Sequence, residues 1–151
     1  GLYLPRGEQL IDHHMVVDHA QPHCVSHEYF NGILDDHARG VFHGRIHVHK
    51  GADQTDAKQT NKNLLLSDHA TVDTKPQLEI YADDVKCTHG ATVGQMNPEQ
   101  IFYMRARGLT EENARHMLMH AFAGEIIERI AGEPVREELD RLVWDRLEKK
   151  G

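Results

Sequence analysis

The stretch YADDVKCTHGATVGQMNPEQIFYMRARGL (81–109) contains the point at which the sequence pattern changes from strand to helix. Its first half alternates small and apolar residues, and Cys87 and His89 fall two positions apart in that alternation. Residues i and i+2 of a strand share a face and lie roughly 6.6 Å apart. Its second half opens with Asn97-Pro98-Glu99, a strong helix start. The stretch therefore predicts the end of a β region and a thiol–imidazole pair beside it.

The pattern of the first 96 residues predicts β structure. It contains no amphipathic helix, which argues against βαβ units. A sandwich, a barrel or a β-helix remains. Irregular spacing and single Gly or Asn residues at bends favour the β-helix, although the sequence contains no strict repeat. Turn residues separate five apolar and β-branched runs, which are Gln9–His19, His23–Leu34, Gly40–Lys50, Asn63–Thr74 and Leu78–Val93.

Histidines are numerous, 13 in 151 residues, and their pattern favours surface positions over a metal ladder. Alternation is cleanest between residues 41 and 49. One face there carries Phe42, Gly44, Ile46 and Val48, and the other carries His43, Arg45, His47 and His49. The second set is best explained as the solvated face of a half-buried strand. The same surface placement is predicted for His13, His14, His19, His23, His27 and His37.

The remaining residues, 97–151, are predicted to form a small helical domain. Asn97 caps a short helix that Gly108 ends. Thr110 caps a second helix over 110–131, which Gly132 stops, and Pro134 opens a third over 134–149. The short link between the last two helices favours an antiparallel hairpin.

Composition excludes several classes of function. A net charge of −7 argues against a nucleic-acid surface, since phosphate binding needs clustered Lys and Arg. No apolar run approaches the roughly 20 residues of a membrane span. Two cysteines do not make a disulfide framework, so we expect reduced thiols and a cytoplasmic location.

Three interpretations of Cys87 and His89 remain open from the residues alone. The thiol packs as a small hydrophobe, or a buried imidazole beside it lowers its pKa and favours thiolate. Alternatively, the pair binds metal, but structural zinc sites almost always have four ligands, so the others must come from elsewhere, including another subunit. A stand-alone metal or thiol enzyme would need ligands from this chain, such as His69 or Asp84. Cys24 is predicted to be a half-buried structural residue.

Two long segments, GVFHGRIHVHKGADQTDAKQTNKNLLLS (40–67) and TKPQLEIYADDVKCTHGATVGQMNPEQIFYMRARGL (74–109), resemble the SufB/SufD family of iron–sulfur cluster assembly proteins. The resemblance runs from about Tyr3 through Ile130. It is strongest to the SufD branch, because the sister branch tends to have His-Glu-Ala where this chain has His89-Gly90-Ala91. It implies the last rungs of a right-handed β-helix over 1–96, then a helical domain over 97–151, as the C-terminal part of a longer protein.

The resemblance also implies a scaffold rather than a conventional enzyme. Family members pair with a SufB-like subunit through the ends of their β-helices, and a SufC-like ABC ATPase docks on the C-terminal helices. The family's Cys-x-His falls on Cys87 and His89, with His89 the stronger functional candidate. An iron–sulfur cluster would be held there transiently, shared with the partner subunit, and none is expected on the isolated chain.

Further expectations concern binding surfaces. The ATPase dock is predicted on the two long helices, at Leu118, Phe122, Leu139, Leu142 and Trp144. Trp144 is open to two interpretations, hairpin core or exposed anchor. An open β-helix end also makes a homodimer of this chain plausible, and a purely structural interaction module, with Cys87 merely packing, is the third candidate function.

Overall fold

A computed structural model describes residues 1–148 as a β-solenoid of about three turns followed by three helices. This is the predicted fold class. Its elements are β1 Leu2–Tyr3, β2 Leu10–His19, β3 Val25–Leu34, β4 Arg39–Val48, β5 Asp56–Leu65, β6 Thr71–Ile80, β7 Lys86–Gln95, α1 Pro98–Ala106, α2 Glu111–Ile127 and α3 Glu133–Glu148.

The strands form two parallel sheets. Within each sheet, neighbouring strands are two strands apart in chain order. Sheet 1 has the order β1-β3-β5-β7, and sheet 2 has the order β2-β4-β6. In sheet 1, Val25 pairs with Asp56 and Asp56 with Lys86. In sheet 2, Leu10 pairs with Arg39 and Arg39 with Thr71. Each turn of the solenoid therefore takes about 30 residues, although no sequence repeat marks that period.

Backbone conformation repeats at the corners even where the residue types do not. His23, Gln54 and Asp84 occupy equivalent corner positions in successive turns, and all three have positive φ, at 62°, 58° and 50°. The amide of His23 donates to the carbonyl of Asp53 (2.9 Å), and that of Gln54 donates to the carbonyl of Asp84 (2.8 Å). Stacked corners of this kind hold successive turns in the same register.

Two of the five predicted strand runs are wrong in their limits. Asn63–Thr74 spans the end of β5 and the start of β6, and Leu78–Val93 spans the corner between β6 and β7. The cause is the interior of β5, where the buried row includes Gln59, Asn61 and Asn63 rather than apolar residues. A hydrophobic pattern cannot detect a strand whose inner face is made of amides.

Two of these amides, Asn61 and Asn63, form a hydrogen-bonded network with Tyr3 inside the solenoid. The Tyr3 hydroxyl donates to Asn63 Oδ1, and Asn63 Nδ2 donates to Asn61 Oδ1 (2.7 Å). Asn61 Nδ2 lies 3.1 Å from the carbonyl oxygen of Phe30 and 3.2 Å from the Tyr3 hydroxyl. Buried amides are tolerated when such bonds replace those lost to water.

Two histidines predicted on the surface lie on the inner face of the solenoid instead, where His19 is buried and His13 is half-buried. His19 is 3% exposed, and its Nε2 lies 2.9 Å from Ser26 Oγ. His13 packs between the rings of Tyr3 (5.0 Å) and Phe30 (5.7 Å), and burial lowers its pKa. Both fall on the inner face because β2 pairs in register with β4, whose inner row is apolar. The surface prediction is confirmed for His14, His23, His27 and His37.

Local capping signals explain the helices. Asn97 Oδ1 accepts from the Glu99 amide (2.8 Å), and Thr110 Oγ1 accepts from the Asn113 amide (3.2 Å), both as predicted. Gly108 has a φ of 96°, the left-handed conformation that ends many helices. The second helix ends at Ile127, four residues earlier than predicted, and the third begins at Glu133. Lys149, the predicted end of the third helix, lies outside the described residues.

The α2–α3 hairpin packs on the outer face of sheet 1. Ile33 of β3 joins Ala123, Ile127 and Val143 in one apolar cluster. Polar contacts add to the docking, since Asn31 Nδ2 donates to the Phe122 carbonyl (3.0 Å) and Lys62 Nζ donates to Glu125 Oε2 (2.7 Å). Among residues 1–148, no helix is both long and apolar enough to cross a membrane.

The close packing inside the solenoid can be tested by substitution of Gly32. A Cβ at Gly32 would lie less than 3.0 Å from the Tyr3 ring and from Asn63 Oδ1. Gly32→Ala should therefore lower the free energy of unfolding by about 1–3 kcal/mol, a typical cost of overpacking. Gly90→Ala is the matched control, because a Cβ at Gly90, also within a sheet 1 strand, meets nothing within 4 Å. Urea denaturation of both variants measures the difference, and equal stabilities would contradict the packing described.

Candidate functional site at the open end of the solenoid

Cys87 and His89 lie on β7, the last strand of sheet 1. Register places Cys87 on Ala57, His89 on Gln59 and Val93 on Asn63, and all three β5 residues are buried. The inner row of β7 thus continues the buried columns of the solenoid. It is nevertheless uncovered, with Val93 48% exposed and His89 also exposed. The interior of the solenoid opens to solvent at this strand.

Cys87 lies at the inner margin of this opening. Its half-buried side chain packs against a cluster formed by Ile46, Val48, Ala52 and Ala57. Burial raises the pKa of the thiol, a backbone hydrogen bond at Ala57 partly offsets that rise, and the nearby Asp56 carboxylate adds to it. The thiol is therefore protonated at neutral pH. Of the three interpretations, the one in which a buried imidazole lowers this pKa is not supported, because His89 is exposed and the pKa is raised.

His89 stands above a buried polar column. In register beneath it lies Gln59, whose Nε2 donates to Glu28 Oε2 (3.0 Å). The amide oxygen of Gln59, Oε1, and the second carboxylate oxygen of Glu28, Oε1, are both buried without a hydrogen-bond partner among the described residues. The His89 imidazole thus lies at the open end of the solenoid, in register with the polar residues Gln59 and Glu28.

The pair supplies two potential ligands, and the described part of the chain adds no third to it. Within residues 1–148, one group of three His, Cys, Asp or Glu side chains converges closely enough for a metal ion, and it contains neither Cys87 nor His89. His69 instead stacks on His37 with ring centroids 4.7 Å apart, and Asp84 lies in the corner before β7. A stand-alone metal enzyme built on Cys87 and His89 gains no support from this geometry.

The two edges at this end of the solenoid differ in how well they are protected from further pairing. β6, the edge of sheet 2, contains Pro76 and the charged residues Asp73, Lys75 and Glu79. β7 contains no proline, and Lys86 is its one charged residue. Proteins usually block exposed edges with prolines and charges. An unblocked ten-residue edge is therefore typical of a strand that pairs with another chain.

Comparison with known proteins assigns the family. Residues 1–122 match the family described as SUF system FeS cluster assembly, SufBD core domain. The chain belongs to the SufBD family. It is 43% identical to the iron–sulfur cluster assembly protein SufD of Escherichia coli over 146 residues, which cover 97% of this chain and 34% of that protein. It is 44% identical to a SufBD family protein of Synechocystis over 124 residues, 82% of this chain and 27% of that protein.

A more distant relative supports the same assignment within the SufBD family. SufD of Bacillus subtilis is 30% identical over 134 residues, 89% of this chain and 31% of that protein. The chain thus spans about a third of the length of the curated relatives it matches. It is a partial SufD-like chain, and the predicted family is confirmed.

The five residues predicted to dock an ATPase lie on the hairpin of this SufBD chain but differ in exposure. Phe122 and Leu139 pack against the Ile33 cluster, and Leu118 is half-buried. Leu142 and Trp144 are 47% and 38% exposed. One side of the Trp144 ring contacts His116 and His120 edgewise, so this residue both packs and presents surface.

Sequence reasoning missed two features of the molecule. A cavity of about 710 Å³ lies where α2 and α3 approach the first turn, lined by residues that include Leu4, Ile33, His116 and Met119. It does not include Cys87 or His89. Phe102 on α1, which directly follows β7, is 74% exposed. The sequence predicts α1 from its capping residues. The mixed composition of this helix does not show that its apolar residue Phe102 is exposed.

The thiol of Cys87 should titrate above the ordinary cysteine value of 9.0, since burial disfavours the charged form. Alkylation by iodoacetamide reports the thiolate, so its rate should rise with pH to a midpoint above that value. A Cys24→Ser background isolates the signal, because these are the two cysteines of the chain. A midpoint near pH 7 would instead indicate an activated thiolate.

Proposed function

We propose that this chain is a scaffold component of SUF iron–sulfur cluster assembly, and that the inner row of β7 is half of a subunit interface at which a nascent cluster is held. One observation carries the proposal. A thiol and an imidazole continue the buried columns of the solenoid, yet the imidazole is exposed and the thiol is only half-buried, on an edge strand without blocking residues. The cluster is cargo of the assembly and not a resident cofactor of this chain.

The partner is a SufB-like subunit that adds a strand to β7. Strand addition supplies backbone hydrogen bonds along an unpaired edge, and side-chain pockets give specificity. The same event would cover Val93, which is 48% exposed in the isolated chain. It would also bring further ligands to Cys87 and His89, which supply two of the roughly four that a closed tetrahedral site needs.

The two side chains then play different roles. His89 offers a solvent-accessible imidazole, which binds iron in its neutral form. Cys87 must first lose its proton, because the thiolate is the metal ligand. Burial raises the pKa of this thiol, so iron or a cationic partner group has to displace the proton. His89 is accordingly the first ligand and Cys87 the second.

A SufC-like ATPase docks on the helical hairpin in this proposal. The exposed surfaces of Leu142 and Trp144 are the apolar anchors on α3 that support it. Phe122 and Leu139 act indirectly, by fixing the hairpin on sheet 1. Phe102, which is 74% exposed, is a further exposed apolar residue, on the helix that follows β7 in the chain.

A second copy of this chain competes for the same edge. When a SufB-like subunit is absent, two β7 strands can pair, which gives a homodimer through the open end. Addition of the SufB-like subunit should then replace the homodimer with the mixed complex.

Co-purification with the SufB-like and SufC-like partners tests the inner row of β7 and the α2–α3 hairpin. One variant is made in each surface, and each serves as the control for the other. His89→Ala should leave the complex intact but lower its iron and sulfide content severalfold, since one ligand is lost. Leu142→Asp should reduce ATPase retention at least tenfold, because a charge replaces an apolar contact, and should leave the SufB-like subunit bound. Metal and sulfide analysis of the purified complexes gives the first readout, and subunit stoichiometry gives the second.

Unchanged cluster content in His89→Ala would mean that the pair is structural and that the chain acts through its binding surfaces alone. Val16→Asp is the matched control for the Leu142 variant, since Val16 is 56% exposed on β2, away from the hairpin. If Leu142→Asp unfolds the whole chain while Val16→Asp does not, Leu142 is a core residue and the docking proposal fails.

A further inference from the structure

We propose that Asp18, His47 and His49 form a binding site for a divalent first-row transition-metal ion on the outer face of sheet 2. These three side chains lie at the ends of β2 and β4, and their ligand atoms all fall within 4.8 Å of one another. The inference is independent of the proposed function, because it concerns the outer face of sheet 2 and not the inner row of β7. It also revises the interpretation of His47 and His49 as part of a plain solvated face.

Parallel register builds the site from residues far apart in the chain. Asp18 pairs with His47, and His47 pairs with Glu79, so three strands place these side chains in one row. His49 follows two residues after His47 and therefore lies on the same face. The His49 amide donates to the His19 carbonyl (3.0 Å), which continues the backbone ladder to that position.

Distances between the side chains suit a shared ion. His49 Nε2 lies 3.1 Å from Asp18 Oδ1. The imidazole rings of His47 and His49 have centroids 4.4 Å apart and are inclined at 69°. Donors about 2.0–2.2 Å from a tetrahedral ion lie roughly 3.3–3.6 Å from one another, so modest side-chain movement brings all three to bonding distance.

Glu79 provides the outer support that metal-binding histidines typically have. Its Oε2 lies 3.0 Å from His47 Nδ1. An imidazole that donates Nδ1–H to a carboxylate keeps Nε2 as its lone-pair donor. Glu79 is itself held, because Gln77 Nε2 donates to its Oε1 (2.8 Å) and Arg45 lies 3.7 Å from that oxygen. Other histidines, such as His14 beside Asp12, also contact a carboxylate, but among the described residues only this group combines that contact with three converging ligands.

Two imidazoles and one carboxylate select the class of ion. Such a set suits Zn²⁺, Co²⁺, Ni²⁺ or Fe²⁺ and does not suit Mg²⁺ or Ca²⁺, which prefer sites made of oxygen ligands. Asp18 and His49 are exposed, and His47 is half-buried. The ion is therefore reachable from solvent and exchangeable, with positions left for water or another ligand.

Titration of the chelator-treated chain with Zn²⁺ at pH 7.5, followed by ¹⁵N chemical shifts of the imidazoles, tests the site directly. The shifts of His47 and His49 should move together and saturate at one equivalent. His49→Ala should weaken this binding at least tenfold, and Glu79→Gln should weaken it by about 10- to 100-fold, the usual effect of losing an outer-shell partner. The Glu79 variant retains all three ligands, so it separates a built site from a chance group of donors.

His37→Ala is the matched control, because His37 and His69 are also close but stack with nearly parallel rings, 12° apart, and join no converging group of three. It should leave the Zn²⁺ affinity unchanged. If His49→Ala and Glu79→Gln bind Zn²⁺ as the wild type does, the proposed site is wrong. The same conclusion follows if His37 and His69 respond at the same Zn²⁺ concentration as His47 and His49.

Discussion

Parallel in-register stacking is the constraint on which the rest of this molecule depends. Each strand residue lies on a residue about 30 positions earlier in the chain, and columns of like character result. A column is stable only while each turn covers the one before it, since an uncovered turn leaves backbone groups and inner side chains in water. The buried amides of β5 and the stacked corners both depend on that cover.

The same constraint explains the position of Cys87 and His89. β7 pairs with β5, but within residues 1–148 no strand pairs with its other edge. Its inner row therefore faces the interior of the solenoid while His89 and Val93 remain exposed. Cys87 keeps its proton because it remains half-buried among apolar side chains. His89 is accessible because the column ends with it. A partner strand would therefore meet an open imidazole and a neutral thiol at once, which suits a shared and transient cluster.

The elements that the sequence predicts well are those determined by near neighbours. Asn97 and Thr110 cap helices through bonds to residues two or three positions on, and the alternation of β4 is visible within nine residues. The limits of β5 are not predicted because its inner row contains amides, two of which, Asn61 and Asn63, bond to Tyr3 about 60 residues away. His13 and His19 were misplaced because their face depends on the register with β4.

The candidate site residues show the same difference between local patterns and contacts between distant parts of the chain. Cys87 and His89 are two positions apart, so a local pattern predicts that they share a strand face, whereas the raised pKa of the thiol depends on residues of other turns. The row of Asp18, His47 and Glu79 joins three strands at spacings of 29 and 32 residues, which no local pattern reveals. Only the three-dimensional register brings them together.

Amide hydrogen exchange along β7 tests the central claim, that this strand is an open end completed by another subunit. In the isolated chain, alternate amides of Lys86–Gln95 should exchange rapidly, because one edge of the strand lacks a pairing strand. Binding of a SufB-like subunit should slow the exchange of those amides strongly, while the amides of β5 change little. A stable complex in which β7 exchange stays fast would place the interface elsewhere and contradict the account.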